Sequence, residues 1–169
     1  MTTGHGTSGP APIHPDVAPL AFLVGRWAGE GEGDYPTVEA FHYGEEVTIS
    51  HVGKPFLAYA QRTWSLDDGR PLHAETGYWR CPSPGHAELV VAHPTGVVEV
   101  SEGPCTDSAV VLASVAVART TSAKEITALV RRVTVEGDNL EYELDMAAVG
   151  VPLSFHLRGT LRRVSAPPG

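Results

Sequence analysis

The chain has 169 residues and carries 20 Asp and Glu against 12 Lys and Arg, a formal net charge of −8. That balance argues against a binder of phosphate backbones, which needs clustered cations, and the longest apolar run, Ala109 to Ala118, is about half of what a membrane helix requires. A chain of this length buries roughly 70% of its unfolded surface as one domain, enough for a core and a cavity without disulfides.

Residues 1–15, MTTGHGTSGPAPIHP, offer almost nothing to bury and lack the basic flank and apolar stretch of a secretion signal. They are expected to form a disordered tail ahead of a single domain over residues 16–169, in a cytoplasmic protein. Cys81 and Cys105 have no metal-site spacing; a single bridge between them is one reading, and two reduced thiols, which fit that compartment, are the expectation. Asp16 is placed to cap the N-terminus of a two-turn helix, VAPLAFLV, ending at Gly25. So short a helix must dock on something to persist.

GRWAGEG follows, with Gly25, Trp27, Gly29 and Gly31 at odd spacing and so on one face of a strand. The glycines let another segment approach closely, and the indole reads as a plug for the end of a barrel. From there strands and tight turns alternate. VEAFHYGEEVTISHV, FLAYAQRTWSL, LHAETGYWR, AELVVAH, VVEVSEG, SAVVLASVAVA, AKEITALVRRVTV and LEYELDMAAV are separated by VGKP, DDGRP, CPSPGH, PTG and EGDN. No long helical period intervenes, which argues against parallel βαβ topology. About ten successive antiparallel strands hide their edges best by closing into an up-and-down β-barrel with a short N-terminal helix, an all-β, calycin-like fold. A sandwich is the runner-up, but it needs crossovers that these short turns do not supply.

The last strand, PLSFHLRGTLRR, alternates Leu153, Phe155, Leu157, Gly159 and Leu161 with Ser154, His156, Arg158, Thr160 and Arg162. Simple alternation puts His156 on the polar face. Either Pro152 and Ser154 belong to a turn and His156 stands at the barrel's mouth, or a bulge shifts the register. The first option is the expectation. His42, His51 and His93 read as surface or rim residues, and His86 sits in a turn.

The block GRWAGEGEGDYPTVEAFHYGEEVTISHVGKPFLAYAQRTW resembles the opening of nitrobindin-family proteins, haem-binding β-barrels with a GxWxGxG motif followed by Tyr-Pro-Thr. The likeness continues through PLHAETGYWR, AHPTGVVEV, SAKEITAL and PLSFHL, and covers roughly residues 20–163. The resemblance implies one haem b per chain with ferric iron, His156 as the iron ligand and His73 as a catalytic residue on the distal side. It also implies Thr37 and Lys124 in the pocket wall, and Gly25, Trp27, Gly29 and Gly31 within the cofactor-binding set. The implied activity is isomerisation of peroxynitrite to nitrate, with reversible nitric oxide binding and protection of tyrosine from nitration. These two small molecules are the implied partners, with neither nucleic acid nor membrane. A single imidazole suffices as the protein ligand of haem iron, and Lys124 or Arg158 could pair with a haem propionate. Two alternatives remain: a non-catalytic haem or nitric oxide carrier or sensor, and a lipid-type binding barrel in which His156 is incidental.

Overall fold

Residues 11–165 are described by the computed structural model. Of the expected tail, residues 1–10 lie outside the described residues; Ile13 lies inside them and packs against the core. The expected helix forms over Pro15–Leu23, but as a 3₁₀ helix. Pro19 within it removes one backbone donor and disfavours continuous α geometry. Its cap is His14, not Asp16: the His14 side chain accepts from the Asp16 N–H at 3.2 Å, and Pro15 takes the first helical position, where no donor is needed.

Ten strands follow: β1 (Gly25–Tyr35), β2 (Val38–Ser50), β3 (Leu57–Ser65), β4 (Pro71–Ser83), β5 (His86–His93), β6 (Val97–Pro104), β7 (Ala109–Arg119), β8 (Ile126–Glu136), β9 (Asn139–Ala148) and β10 (Val151–Ser165). Each pairs antiparallel with its sequence neighbour, and β10 closes on β1 to complete the barrel. No edge strand is left, and the sandwich is ruled out. Among the described residues no helix is long and apolar enough to cross a membrane.

The two ends of the barrel differ. The helix closes one end by burying Val17, Leu20 and Leu23 completely, beside Trp27, Leu57, Leu112 and Leu161. Trp27 joins helix and barrel, because its indole N–H donates to the Leu23 carbonyl at 2.9 Å while the Arg163 guanidinium lies 4.0 Å over its ring. The motif glycines act through close approach. A Cβ on Gly29 would collide with the Thr160 carbonyl of β10, and one on Gly31 would collide with the Tyr43 ring. Trp27→Phe is expected to cost about 1–2 kcal/mol of unfolding free energy, from the lost hydrogen bond and reduced volume. Urea unfolding checks this; unchanged stability would remove Trp27 from its role as the plug.

Cys81 and Cys105 are free, buried thiols. The turns after β1, β3, β5, β7 and β9 gather at the other end of the barrel, away from the helix.

Candidate functional site

A cavity of about 720 Å³ lies at that second end, a size suited to a small-molecule ligand. His156 and Leu157 on β10, His73 and Glu75 on β4, and His93 on β5 are in its wall, with Phe41, Leu129, Leu144 and Met146 supplying apolar surface.

His156 reaches this wall through a bulge. Phe155 pairs with Asp145 and Leu157 with Leu144, so β10 carries one extra residue, His156, at that point. This corrects the expectation of a turn at Pro152 and Ser154, both of which are in β10. The inserted residue also reverses the strand's parity. Leu157, Gly159 and Leu161 face inward as alternation suggests, whereas Leu153 and Phe155 are exposed on the outside.

The His156 ring stands edge-on to Tyr35, with ring centres 5.3 Å apart. Tyr35 is itself pinned: its hydroxyl accepts from the Ala148 N–H at 2.9 Å. The Tyr-Pro-Thr turn thus places a buried ring behind the histidine, a role its sequence pattern did not reveal. His156 Nδ1 is sealed inside the protein with no hydrogen bond within 3.5 Å, which leaves Nε2 as the ring nitrogen available to a ligand. Burial lowers the pKa of this imidazole, as does the nearby His73, while the Asp34 backbone acts in the opposite sense. The net effect favours a neutral ring with a free nitrogen lone pair, the form that ligates metal.

Beneath the cavity the barrel is polar. Glu75 and Glu99 are buried, and Arg131 bridges them, with Nη2 donating to Glu75 at 3.1 Å and to Glu99 at 2.8 Å. Tyr59 donates to Glu75 at 2.8 Å and Ser101 to Glu99 at 2.6 Å. Burial pushes both carboxyls up, but Arg131 and the surrounding donors outweigh it, holding Glu75 well below the usual range and Glu99 at about 2. Glu45 behaves differently. Burial raises it to about 7, against hydrogen bonds from Tyr142 at 2.6 Å and Gln61 at 2.8 Å.

A carboxyl raised on folding contributes stability that is full below its unfolded pKa and is lost as pH rises through the folded value. Glu45 alone is therefore expected to cost the protein up to about 3 kcal/mol between about pH 4 and pH 8. Glu45→Gln should abolish that part of the pH dependence. Urea unfolding at a series of pH values measures it, and parallel curves for the two proteins would refute the assignment.

The sequence-expected residues divide by place. His156 and His73 share the cavity wall. Thr37 and Lys124 are exposed in the β1–β2 and β7–β8 turns at the cavity's end, next to segments that reach its wall at Val38 and Ile126. Gly25, Trp27 and Gly29 lie toward the closed end, and neither they nor Gly31 lines the cavity. Arg158 is on the outside, paired with Glu32 and stacked over Phe155, so it does not face the cavity. The arginine that does line it is Arg70, in the β3–β4 turn. His93, expected at the surface or rim, has a side chain only 9% exposed and meets His73 at 3.2 Å. Its parity with Ala87, Leu89 and Val91, all buried, was the available signal.

Residues 16–163 match the family model of the THAP4-like, heme-binding beta-barrel domain. The chain is 54% identical over 160 residues to a protein of Mycobacterium marinum named peroxynitrite isomerase 2, covering 92% of this chain and 99% of the relative. It is 52% identical over 155 residues to a peroxynitrite isomerase of Nocardia farcinica, covering 89% and 92% of the two chains. The crystal structure of Rv2717c from M. tuberculosis superposes with a TM-score of 0.86 at 45% identity, over 91% of this chain and all of that one.

Proposed function

The chain belongs to the family of THAP4-like, heme-binding β-barrel domains, and from that membership we propose that it is a haem-dependent peroxynitrite isomerase, converting peroxynitrite to nitrate. The observation that carries the reading is the neutral imidazole of His156 in the wall of a 720 Å³ cavity, with Nδ1 sealed inside the protein and Nε2 left for a ligand. Haem fits that donor, that volume and the apolar surface beside it.

When bound, haem b would supply a ferric, Lewis-acidic iron for a reaction that is redox-neutral overall. His156 would hold the group in place, and the edge of Tyr35 would fix the plane of the imidazole ring. Phe41, Leu129, Leu144 and Met146 keep water from the reacting fragments and so favour nitrate over escape toward tyrosine. His73 borders the same space and is the residue assigned to the distal side. Arg70 in the cavity wall, with the exposed Thr37 and Lys124 beside it, would meet the propionates. Motif residues Gly25, Trp27, Gly29 and Gly31 serve the site indirectly, by shaping the barrel.

Nitric oxide is assigned to the same haem, and the protein is assigned to the cytoplasm, free of nucleic acid and membrane. A lipid-type barrel is disfavoured by the charged floor that Glu75, Glu99 and Arg131 build. Titration of the haem-free protein with haem tests the proposal: a Soret band should saturate at one haem per chain and shift on addition of nitric oxide. Absence of a saturable band would remove the haem reading.

A further inference from the structure

His73, Glu75 and His93 form a second constellation in the cavity wall, on the far side of the barrel from His156. His73 and Glu75 are two residues apart on β4, so they share a face. His93 follows Ala92, which pairs with Thr76, and this brings it alongside Glu75. β5 lies five strands from β10 by either route around the ten-stranded barrel.

The donor atoms already sit at ligand spacing. His73 Nε2 is 3.2 Å from His93 Nδ1 and 3.7 Å from Glu75 Oε1, and His93 Nδ1 is 3.6 Å from the same oxygen. An ion bound tetrahedrally at about 2.0–2.1 Å holds its ligands roughly 3.3–3.4 Å apart. Closing this triangle onto an ion therefore needs shifts of a few tenths of an ångström. Two imidazoles and one carboxylate suit zinc or a similar divalent transition metal.

The surroundings agree. His93 Nε2 faces Glu99 Oε2 at 3.5 Å and has no hydrogen-bond partner in its present position. A carboxylate behind a histidine is the usual orienting partner of a metal-bound imidazole. Glu75 is oriented through its other oxygen by the Tyr59 hydroxyl at 2.8 Å. Glu75 and Glu99 together carry two negative charges and Arg131 offsets one, which leaves one buried charge to be matched. Arg131 Nη2, 3.1 Å from Glu75 Oε1, would repel the ion, and both carboxylates stand against it.

We propose that His73, Glu75 and His93 bind a divalent transition metal of the zinc class, with a fourth position open to the cavity for water or a small anion. The site shares its cavity and His73 with the haem reading, but does not rest on it. The competing account is a single proton shared between the two imidazoles, with no metal.

The test uses the full-length protein, stripped with chelator and titrated with Zn²⁺ against a chromophoric competitor. Co²⁺ is then substituted to report coordination through its visible d–d bands. One Zn²⁺ per chain is expected, with uptake and cobalt bands lost in His73→Ala and in His93→Ala. Glu99→Gln should weaken binding by about 10–100-fold, and His156→Ala should retain it. His73, half-exposed, is the substitution least able to disturb folding, and a melting curve confirms that the variant is intact. Wild-type uptake no greater than that of the His73→Ala variant overturns the proposal in favour of the shared proton. Uptake that survives His73→Ala and His93→Ala but disappears with His156→Ala overturns it in favour of a site at His156.

Discussion

Arg131→Leu is expected to lower the free energy of unfolding by about 3–5 kcal/mol, the usual consequence of removing one partner from a buried ionic group. The reason lies in what remains. Glu99 is 0% exposed and Glu75 is 7% exposed, and Arg131 supplies hydrogen bonds to both. Without the guanidinium, Tyr59 and Ser101 still donate, but two like charges share a poorly hydrated layer with no arginine between them. One carboxyl must then take up a proton or draw water into the barrel. Adding Glu99→Gln to the Arg131→Leu background should recover part of the loss, because the members of a network do not contribute additively. Urea unfolding near neutral pH provides the comparison. A single-variant loss below about 1 kcal/mol would mean that the layer is solvated and that the charged floor does not support the barrel.

His156→Ala is expected to fold with nearly wild-type stability and to lose its haem. The residue is inserted at a bulge, half-buried, and the barrel's closed-end core does not include it. Removing the ring takes away an unpartnered polar nitrogen and one edge contact with Tyr35, which together contribute little to stability. The same change removes the only donor proposed for the iron. The Soret band should therefore vanish or shift to that of loosely held haem, and free imidazole should restore it in part by filling the vacated space. A His156→Ala variant with an unaltered haem spectrum would show that another residue, His73 or His93 foremost, ligates the iron.

The barrel was legible because its signals are local and repeated: short alternating strands, and turn residues between them at regular intervals. Its closed end was legible too, since Trp27 among glycines and a helix too short to stand alone imply a docked plug. The helix type and cap were missed because Pro15 and Pro19 act on backbone geometry, which the pattern of apolar residues does not register. The inward position of His156 was obscured by a single inserted residue. Alternation is blind to a bulge, and one extra residue exchanges the two faces of everything beyond it. The polar floor was overlooked for a different reason. Glu45, Glu75, Glu99 and Arg131 follow the inward parity of Tyr43, Trp79, Val97 and Leu129, but charged residues in strands are assigned to solvent unless their partners are known. Those partners come from other strands: Glu99 and Arg131 are 32 positions apart, and Glu75 and Arg131 are 56 apart.

The most direct measurement follows peroxynitrite decay by stopped flow, with the nitrate yield and the thiol content of the protein determined at the end. Cys81 and Cys105 are free thiols, and stoichiometric scavenging by them would persist without haem. The haem-loaded wild-type protein should accelerate decay over many turnovers, raise the nitrate yield, protect added tyrosine from nitration and keep both thiols. The haem-free protein and His156→Ala should leave decay at the rate of buffer alone. Decay at the buffer rate with haem-loaded wild-type protein that still binds nitric oxide would contradict the isomerase and leave a carrier or sensor of nitric oxide in its place.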